Sequence, residues 1–259
     1  MNNPFVTYST QDRIGFITLN RAEKRNALNS QLITELKTVF KQAEEDDMCK
    51  VIVLQAKGEV FSAGADLEYL QSLHSFSQEE NIADSNHLAE LFKQIYTLKK
   101  VVIASVQGHA IAGGCGLATV CDLSIAAESS KFGYSEVKIG FIPAIVSVFL
   151  LRKIGEGKTK ELLLTGKTIS AQEAVNMGLI NRCVPKENLE KSVMDLAQTL
   201  CATASGESLK STKLMLAELQ NLSLDEGLEV AVRKNALARE NKDCKKGIAA
   251  FLNKENINW

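Results

Sequence analysis

Val101-Val102-Ile103-Ala104-Ser105-Val106 runs directly into Gln107-Gly108-His109-Ala110-Ile111-Ala112-Gly113-Gly114-Cys115-Gly116. The first six residues are apolar and rich in β-branched side chains, the signature of a buried strand. Leu117-Ala118-Thr119-Val120-Cys121 behind them reads as a short buried helix. A strand, a glycine-rich turn and a helix start leave backbone N–H groups unpaired at a helix N-terminus, where negative charge is welcome. Glycine also lets a ligand or another backbone come close, because no Cβ stands in the way. A tight turn between two packed elements would use the same residues, so a function for this stretch needs support from the rest of the chain.

Upstream, Phe5-Val6-Thr7-Tyr8 and Ile14-Gly15-Phe16-Ile17-Thr18-Leu19 form an expected β-hairpin around polar Ser9 to Arg13. A charged loop, Asn20 to Asn26, follows. Asn29 or Ser30 can cap a helix whose apolar face is Leu32, Ile33, Leu36, Val39, Phe40 and Ala43. Val51-Ile52-Val53-Leu54 is a second buried strand, and Gly58 to Asp66 a second glycine-containing loop, entering Leu67-Glu68-Tyr69-Leu70. Residues 71–98 begin polar and become helical, with Leu88, Leu91, Phe92, Ile95 and Leu98 on one face. Leu123-Ser124-Ile125-Ala126-Ala127 is one more strand. Strands alternating with helices predict an α/β fold built on crossover units.

After Pro143 the strands thin out. Helices are expected at 145–153, 158–164, 171–177, 189–203, 209–219, 224–239 and 243–252, with Gly157 in a turn. Pro185 is a plausible boundary, and the chain divides into an expected core, 1–190, and a helical C-terminal region, 191–259. Stripes such as Val193, Leu196, Ala197 and Leu200 need cover from the body or from another subunit.

Composition narrows the function classes. Across 259 residues, 45% are hydrophobic and 24% charged, as in ordinary globular proteins. A net charge of −1 offers no electrostatic case for nucleic acid or an anionic membrane as partner. Met1-Asn2-Asn3-Pro4-Phe5 has no basic or apolar targeting character, and no run approaches the ~20 apolar residues of a membrane span. Cytoplasm is the expected location. The six cysteines make no C-x-x-C pair and are expected as free, mostly buried thiols. His74, His87 and His109 are scattered, so no metal site is expected. Cys115 beside the glycine turn lacks an evident activating partner for nucleophilic work.

Three motifs are absent, two of them by a single residue. A dinucleotide fingerprint on Gly114-Cys115-Gly116 needs glycine at position 119, which is Thr119. A P-loop ending in Gly157-Lys158-Thr159 needs glycine where Arg152 stands. No G-x-S-x-G occurs. Two glycine loops remain, Ala63-Gly64-Ala65-Asp66 and Ala112-Gly113-Gly114-Cys115, each following a buried strand. Facing one another, they could present one N–H apiece to a single oxygen, an oxyanion hole for a thioester carbonyl. Downstream, Phe132-Gly133-Tyr134-Ser135-Glu136-Val137 sets a carboxylate among apolar residues, and burial would raise its pKa towards the range useful for proton transfer. By itself Glu136 is also compatible with an ordinary solvated or capping role.

Asn20-Arg21-Ala22-Glu23-Lys24-Arg25-Asn26-Ala27-Leu28, Phe61-Ser62-Ala63-Gly64-Ala65-Asp66-Leu67 and the stretch 108–122 together resemble the crotonase (enoyl-CoA hydratase/isomerase) superfamily, in order and spacing, over essentially the whole chain. The resemblance implies a crotonase fold: an α/β core of repeated ββα turns, then a helical C-terminal trimerisation region, with homotrimers or hexamers as assemblies. It implies an acyl-CoA substrate, coenzyme A being part of the substrate and no separate cofactor being used. By the same resemblance Ala65 and Gly113 supply the oxyanion hole, and Glu136 the acid/base. Arg21, Lys24, Ala27, Ala63, Asp66 and Leu67 line the CoA path, and Phe251 and Lys254 are what a neighbouring subunit offers to CoA.

The departures bear on the reaction. Two-acid hydratases of this superfamily carry a glutamate where this chain has Gly116; the second acid, twenty positions on, is present as Glu136. Gly116 is expected to leave room for a branched or carboxylated acyl chain. With Gly140-Phe141-Ile142-Pro143-Ala144-Ile145-Val146-Ser147, it resembles bacterial hydratases of branched acyl-CoAs such as 3-methylglutaconyl-CoA. Hydration of a 2-enoyl-CoA is the expected reaction. Double-bond isomerisation by one glutamate is the alternative, ahead of decarboxylation, thioester hydrolysis or CoA binding without turnover.

Overall fold

The computed structural model describes residues 3–259. In chain order its strands are β1 (Val6–Gln11), β2 (Ile14–Leu19), β3 (Val51–Ala56), β4 (Val101–Val106), β5 (Ala110–Ile111), β6 (Leu123–Ala127), β7 (Lys131–Gly133), β8 (Thr168–Ser170) and β9 (Arg182–Val184). The helices are α1 (Ser30–Glu45), α2 (Leu67–Ser72), α3 (Gln78–Thr97), α4 (Gly113–Val120), α5 (Ala144–Thr165), α6 (Ala171–Met177), α7 (Leu189–Thr203), α8 (Gly206–Leu219), α9 (Leu224–Glu240) and α10 (Lys242–Asn253).

The main sheet has the order β1-β2-β3-β4-β6-β9, antiparallel at the β1–β2 hairpin and parallel elsewhere. Its apolar runs are continuous because both faces are covered. Ile52, Leu54, Val102, Ala104 and Ala126 join the larger core with residues of α1, α3 and α4. Val51, Val53, Val101, Ile103, Ile125 and Ala127 alternate with them and meet Leu189, Val193 and Ala197 of α7. The Val193–Leu200 stripe is therefore covered by the sheet of its own chain. A second, small sheet, β5-β7-β8, stands beside the first.

The hairpin is tighter than its polar segment suggests. β1 extends to Gln11, and the turn is Asp12-Arg13, both at positive φ (51° and 66°), as a two-residue turn matched to strand twist requires. α5 joins the two expected helices through a kink at Gly155 (φ 75°, ψ 171°), and Gly157 lies inside the helix. The short strands β5, β7, β8 and β9 escape a periodicity reading, because two or three residues cannot establish a period of two. α4 begins at Gly113 rather than Leu117, so the glycine stretch is the helix's own first turn.

Two lysines tie α5 and α8 to helix ends and to the connections beside the sheet. Lys153 of α5 donates from Nζ to the carbonyls of Thr119 (2.8 Å) and Cys121 (2.9 Å), satisfying the carboxyl end of α4. Lys213 of α8 donates to Ile95 O, Lys100 O and Asp122 Oδ2 (2.7 Å). Burial raises the Asp122 pKa against the pull of Lys213. Among the described residues no helix is long and apolar enough to cross a membrane.

Candidate active site

Three loops leave the carboxyl ends of the adjacent parallel strands β2, β3 and β4, where open α/β sheets place their ligands. They run side by side. Ala63 N donates to Arg25 O (3.0 Å), Leu28 N to Gly64 O (2.7 Å), Asp66 N to Leu28 O (2.8 Å) and Ile111 N to Ser62 O (3.0 Å). Asn26, fully buried, is the hub. Its Oδ1 accepts from Arg21 N (3.0 Å), and its amide donates to Lys57 O (2.9 Å) and Val60 O (2.8 Å). Asn26 ends the charged loop 20–26, where the sequence gives no sign of its bonding, and its φ of 51° marks a special backbone position.

The two glycine loops meet. A Cβ on Gly64 (φ 89°) would lie 2.8 Å from Ala112 Cβ and from Ile111 O, and 3.4 Å from Gly113 N. Only glycine permits that approach. Hydrogen bonds to Leu28 flank Ala65 on both sides, which turns the Ala65 N–H away from Leu28. At the other loop Ala112 adopts φ 50°, ψ −125°, a strained setting for a residue with a Cβ, and its N–H is held by Gly133 O (2.7 Å). α4 has no side-chain cap, and Gly113 supplies its first N–H. Among the described residues neither the Ala65 nor the Gly113 N–H has an acceptor. Gly114 allows the helix to seat on Ser62, whose carbonyl would be 2.4 Å from an added Cβ.

Beyond Tyr134 and Ser135, which follow β7, Glu136 opens a four-residue 3₁₀ turn, and β7 is paired with β5 at the entry to α4. The side chain is buried, and its Oε2 has no hydrogen-bond partner. Burial raises its pKa above the usual glutamate value, partly offset by its own backbone N–H. A buried carboxylate without a partner is expensive, and such a group persists where proton transfer needs it. Cys115 is unsuited to nucleophilic work: fully buried, its thiol pKa is pushed up to about 12.

Gly116 does not leave the room expected of it. A Cβ there would lie 2.4 Å from Val146 Cγ1 and 2.9 Å from the Phe92 ring, so α5 and α3 fill the space. The position is closed and apolar rather than open, because Val146 and Phe92 are core residues packed onto the glycine. No local pattern announces this, since the three residues lie on three different helices.

The remaining site residues divide into two groups. Arg21 pairs with Asp66 (2.7 Å), donates to Ala27 O (3.0 Å) and lies over the Phe5 ring. Burial would raise the Asp66 pKa, but the Arg21 guanidinium and the amides of Tyr69 and Glu68 hold it below the usual value. Asp66 also caps α2 through those amides, and Lys24 pairs with exposed Glu68 (2.9 Å). Ala27 and Ala63 lie in the bonded loops, while Leu67 is exposed at the start of α2. Phe251, 85% exposed, and Lys254, at the end of α10, are set apart from this group; α10 packs on α9. Among the described residues no cluster of metal-ligating side chains occurs.

Comparison with known proteins places the chain in a family. The enoyl-CoA hydratase/isomerase family model matches residues 9–259. A Thermus thermophilus relative bearing an enoyl-CoA hydratase name is 40% identical over 241 residues, covering 93% of this chain and 95% of that one. The crotonyl-CoA hydratase of Syntrophomonas wolfei is 31% identical over 256 residues, covering 98% and 97%. A Legionella pneumophila crystal structure of the hydratase/isomerase (crotonase) type superposes with a TM-score of 0.90 at 38% identity, covering 98% of each chain. With its fold, its paired glycine loops and a match spanning nearly its whole length, the chain belongs to the enoyl-CoA hydratase/isomerase family.

Proposed function

We propose that this enzyme adds water to a 2-enoyl-CoA thioester, with Glu136 as its one acid/base. The observation that carries the proposal is the buried, unpartnered Glu136 carboxylate in the turn that follows β7, the strand paired to β5 at the entry of α4, with the free N–H groups of Ala65 and Gly113 on the two glycine loops. A thioester oxygen between those amides would accept two hydrogen bonds that strengthen as it gains charge, aided by the α4 dipole. That polarisation makes the β carbon electrophilic. Glu136 takes a proton from water, the water oxygen bonds to the β carbon, and the double-bond electrons move towards the thioester. Glu136 then returns the proton to the α carbon, so the product is the 3-hydroxyacyl-CoA.

The CoA moiety follows the loops holding Arg21, Lys24, Ala27, Ala63, Asp66 and Leu67, with Phe251 and Lys254 supplied from a neighbouring subunit of a homotrimer or hexamer. Coenzyme A enters as part of the substrate, and the proposed hydration requires no metal or separate cofactor. Short 2-enoyl chains fit best with the filled space at Gly116. 3-Methylglutaconyl-CoA rests on the sequence block 140–147 alone.

Isomerisation is the second possibility, and one observation favours it. Val146 and Phe92 make the place of a second acid apolar, which is poor for holding water and harmless to a proton shuttled between two carbons. Crotonyl-CoA and 3-methylglutaconyl-CoA assayed side by side, with a 3-enoyl-CoA in heavy water, separate these outcomes. A 3-hydroxyacyl product supports the proposal. Bond migration without hydroxylation, or no turnover of any of the three, overturns it.

A further inference from the structure

Glu136 has no side-chain partner to fix it, so its placement depends on the backbone that carries it. β7 has three residues, and its end is tied to α4 by one backbone bond, Ala112 N to Gly133 O (2.7 Å). A second tie lies one residue further on. Tyr134, fully buried, places its phenolic oxygen 2.7 Å from Thr119 Oγ1 in the last turn of α4. Thr119 has one hydroxyl hydrogen and gives it to Cys115 O (2.8 Å). Tyr134 is therefore the donor, and the chain runs from the phenol through the Thr119 hydroxyl to the Cys115 carbonyl.

We infer that Tyr134 is a positioning residue, which through Thr119 holds the Glu136 carboxylate at a set place relative to the Gly113 amide. The inference rests on the proposed role of Glu136. The helix that starts with Gly113 and the segment that ends in Glu136 are joined at both ends of α4: at its N-terminus by Gly133 O, and at its last turn by the Tyr134 hydroxyl on Thr119, which is bonded back to Cys115 O in the first turn. Burial raises the Tyr134 pKa well above its usual value, so the phenol stays a donor across the working pH range. A purely space-filling tyrosine would be replaced by phenylalanine without kinetic consequence, because the ring and its volume are kept.

The test uses the full-length assembled enzyme and crotonyl-CoA. Tyr134→Phe and Thr119→Val are each expected to lower kcat about tenfold with KM changed less than about twofold, as loss of alignment rather than of binding does. Thr119→Ser, which keeps the hydroxyl, is expected to stay near wild type. The double variant should be no worse than either single, since both cut one chain of bonds. A Tyr134→Phe enzyme that folds and keeps its kcat, or losses that multiply in the double variant, overturns the inference. If Tyr134→Phe does not fold, the comparison of Thr119→Val with Thr119→Ser decides it: equal kcat in the two overturns it. Glu136→Gln is run in parallel. If it keeps turnover, the proposed function falls; if it is inactive while Tyr134→Phe is unaffected, only the role of Tyr134 falls.

Discussion

Glu136 combines burial, a raised pKa and an oxygen without a partner, and each property has a measurable consequence. Glu136→Gln is expected to lower kcat about 10²- to 10⁴-fold, the usual contribution of a positioned acid/base. As a base Glu136 must be ionised, so kcat/KM should fall as pH drops through a midpoint above the usual glutamate value; a midpoint at or below it would contradict the burial argument. Stability should move the other way. Because the folded-state pKa is raised, the folded protein bears the cost of the buried charge above that pKa, and the cost vanishes below the unfolded-state value. Glu136→Gln should therefore melt higher than wild type at neutral pH, with the gap closing as pH falls towards the ordinary carboxylate range. Gly116 offers a second test with opposed signs. Helix propensity alone would have Gly→Ala stabilise by up to about 1 kcal/mol. Contact with Val146 and Phe92 instead predicts that Gly116→Ala destabilises by about 1–3 kcal/mol in chemical denaturation, partly recovered by adding Val146→Ala.

α4 is held by tertiary contacts rather than by propensity. Three of its first four residues are glycine, it lacks a side-chain cap, and Lys153 occupies its carboxyl end. Burial lowers the Lys153 pKa, although the charge still complements the helix dipole. Lys153→Met leaves two buried carbonyls unpaired and is expected to cost about 1–3 kcal/mol in the same denaturation experiment. A variant as stable as wild type would show that water replaces the lysine. The buried strands leading into the site are legible from their apolar runs, since a parallel strand covered on both faces has no polar residues to interrupt it. The start of α4 is not, because glycine argues against helix until Leu28, Ser62 and Val146 are seen packed against the space its side chains would take.

In the whole molecule, α7 closes the second face of the sheet, while Leu224, Leu228, Val232 and Leu237 of α9 and Ile248, Phe251 and Leu252 of α10 stay exposed within one chain. Leu224, Leu228 and Val232 recur every four residues along α9, a stripe that needs a partner. A homotrimer or hexamer is the proposed assembly. Leu228→Glu with Val232→Glu should shift the protein to monomer in light scattering behind size exclusion, and should raise KM for acyl-CoA if Phe251 and Lys254 act across subunits. An unchanged mass would remove this stripe from the interface.

The order of strands and helices, the two glycine loops and the candidate acid at Glu136 can all be read from local pattern, because each depends on residues within a few positions of one another. The resemblance of the blocks 20–28, 61–67 and 108–122 to one superfamily supplies their common purpose. Contacts between distant segments could be decided only in three dimensions: that Gly64 closes on Gly113, that Asn26 ties two loops together, and that Tyr134 reaches Thr119. Gly116 shows the difference most plainly. Its lack of a side chain suggests space, whereas Val146 and Phe92 occupy that space. A one-dimensional pattern records what a residue lacks, and only packing determines what fills the gap.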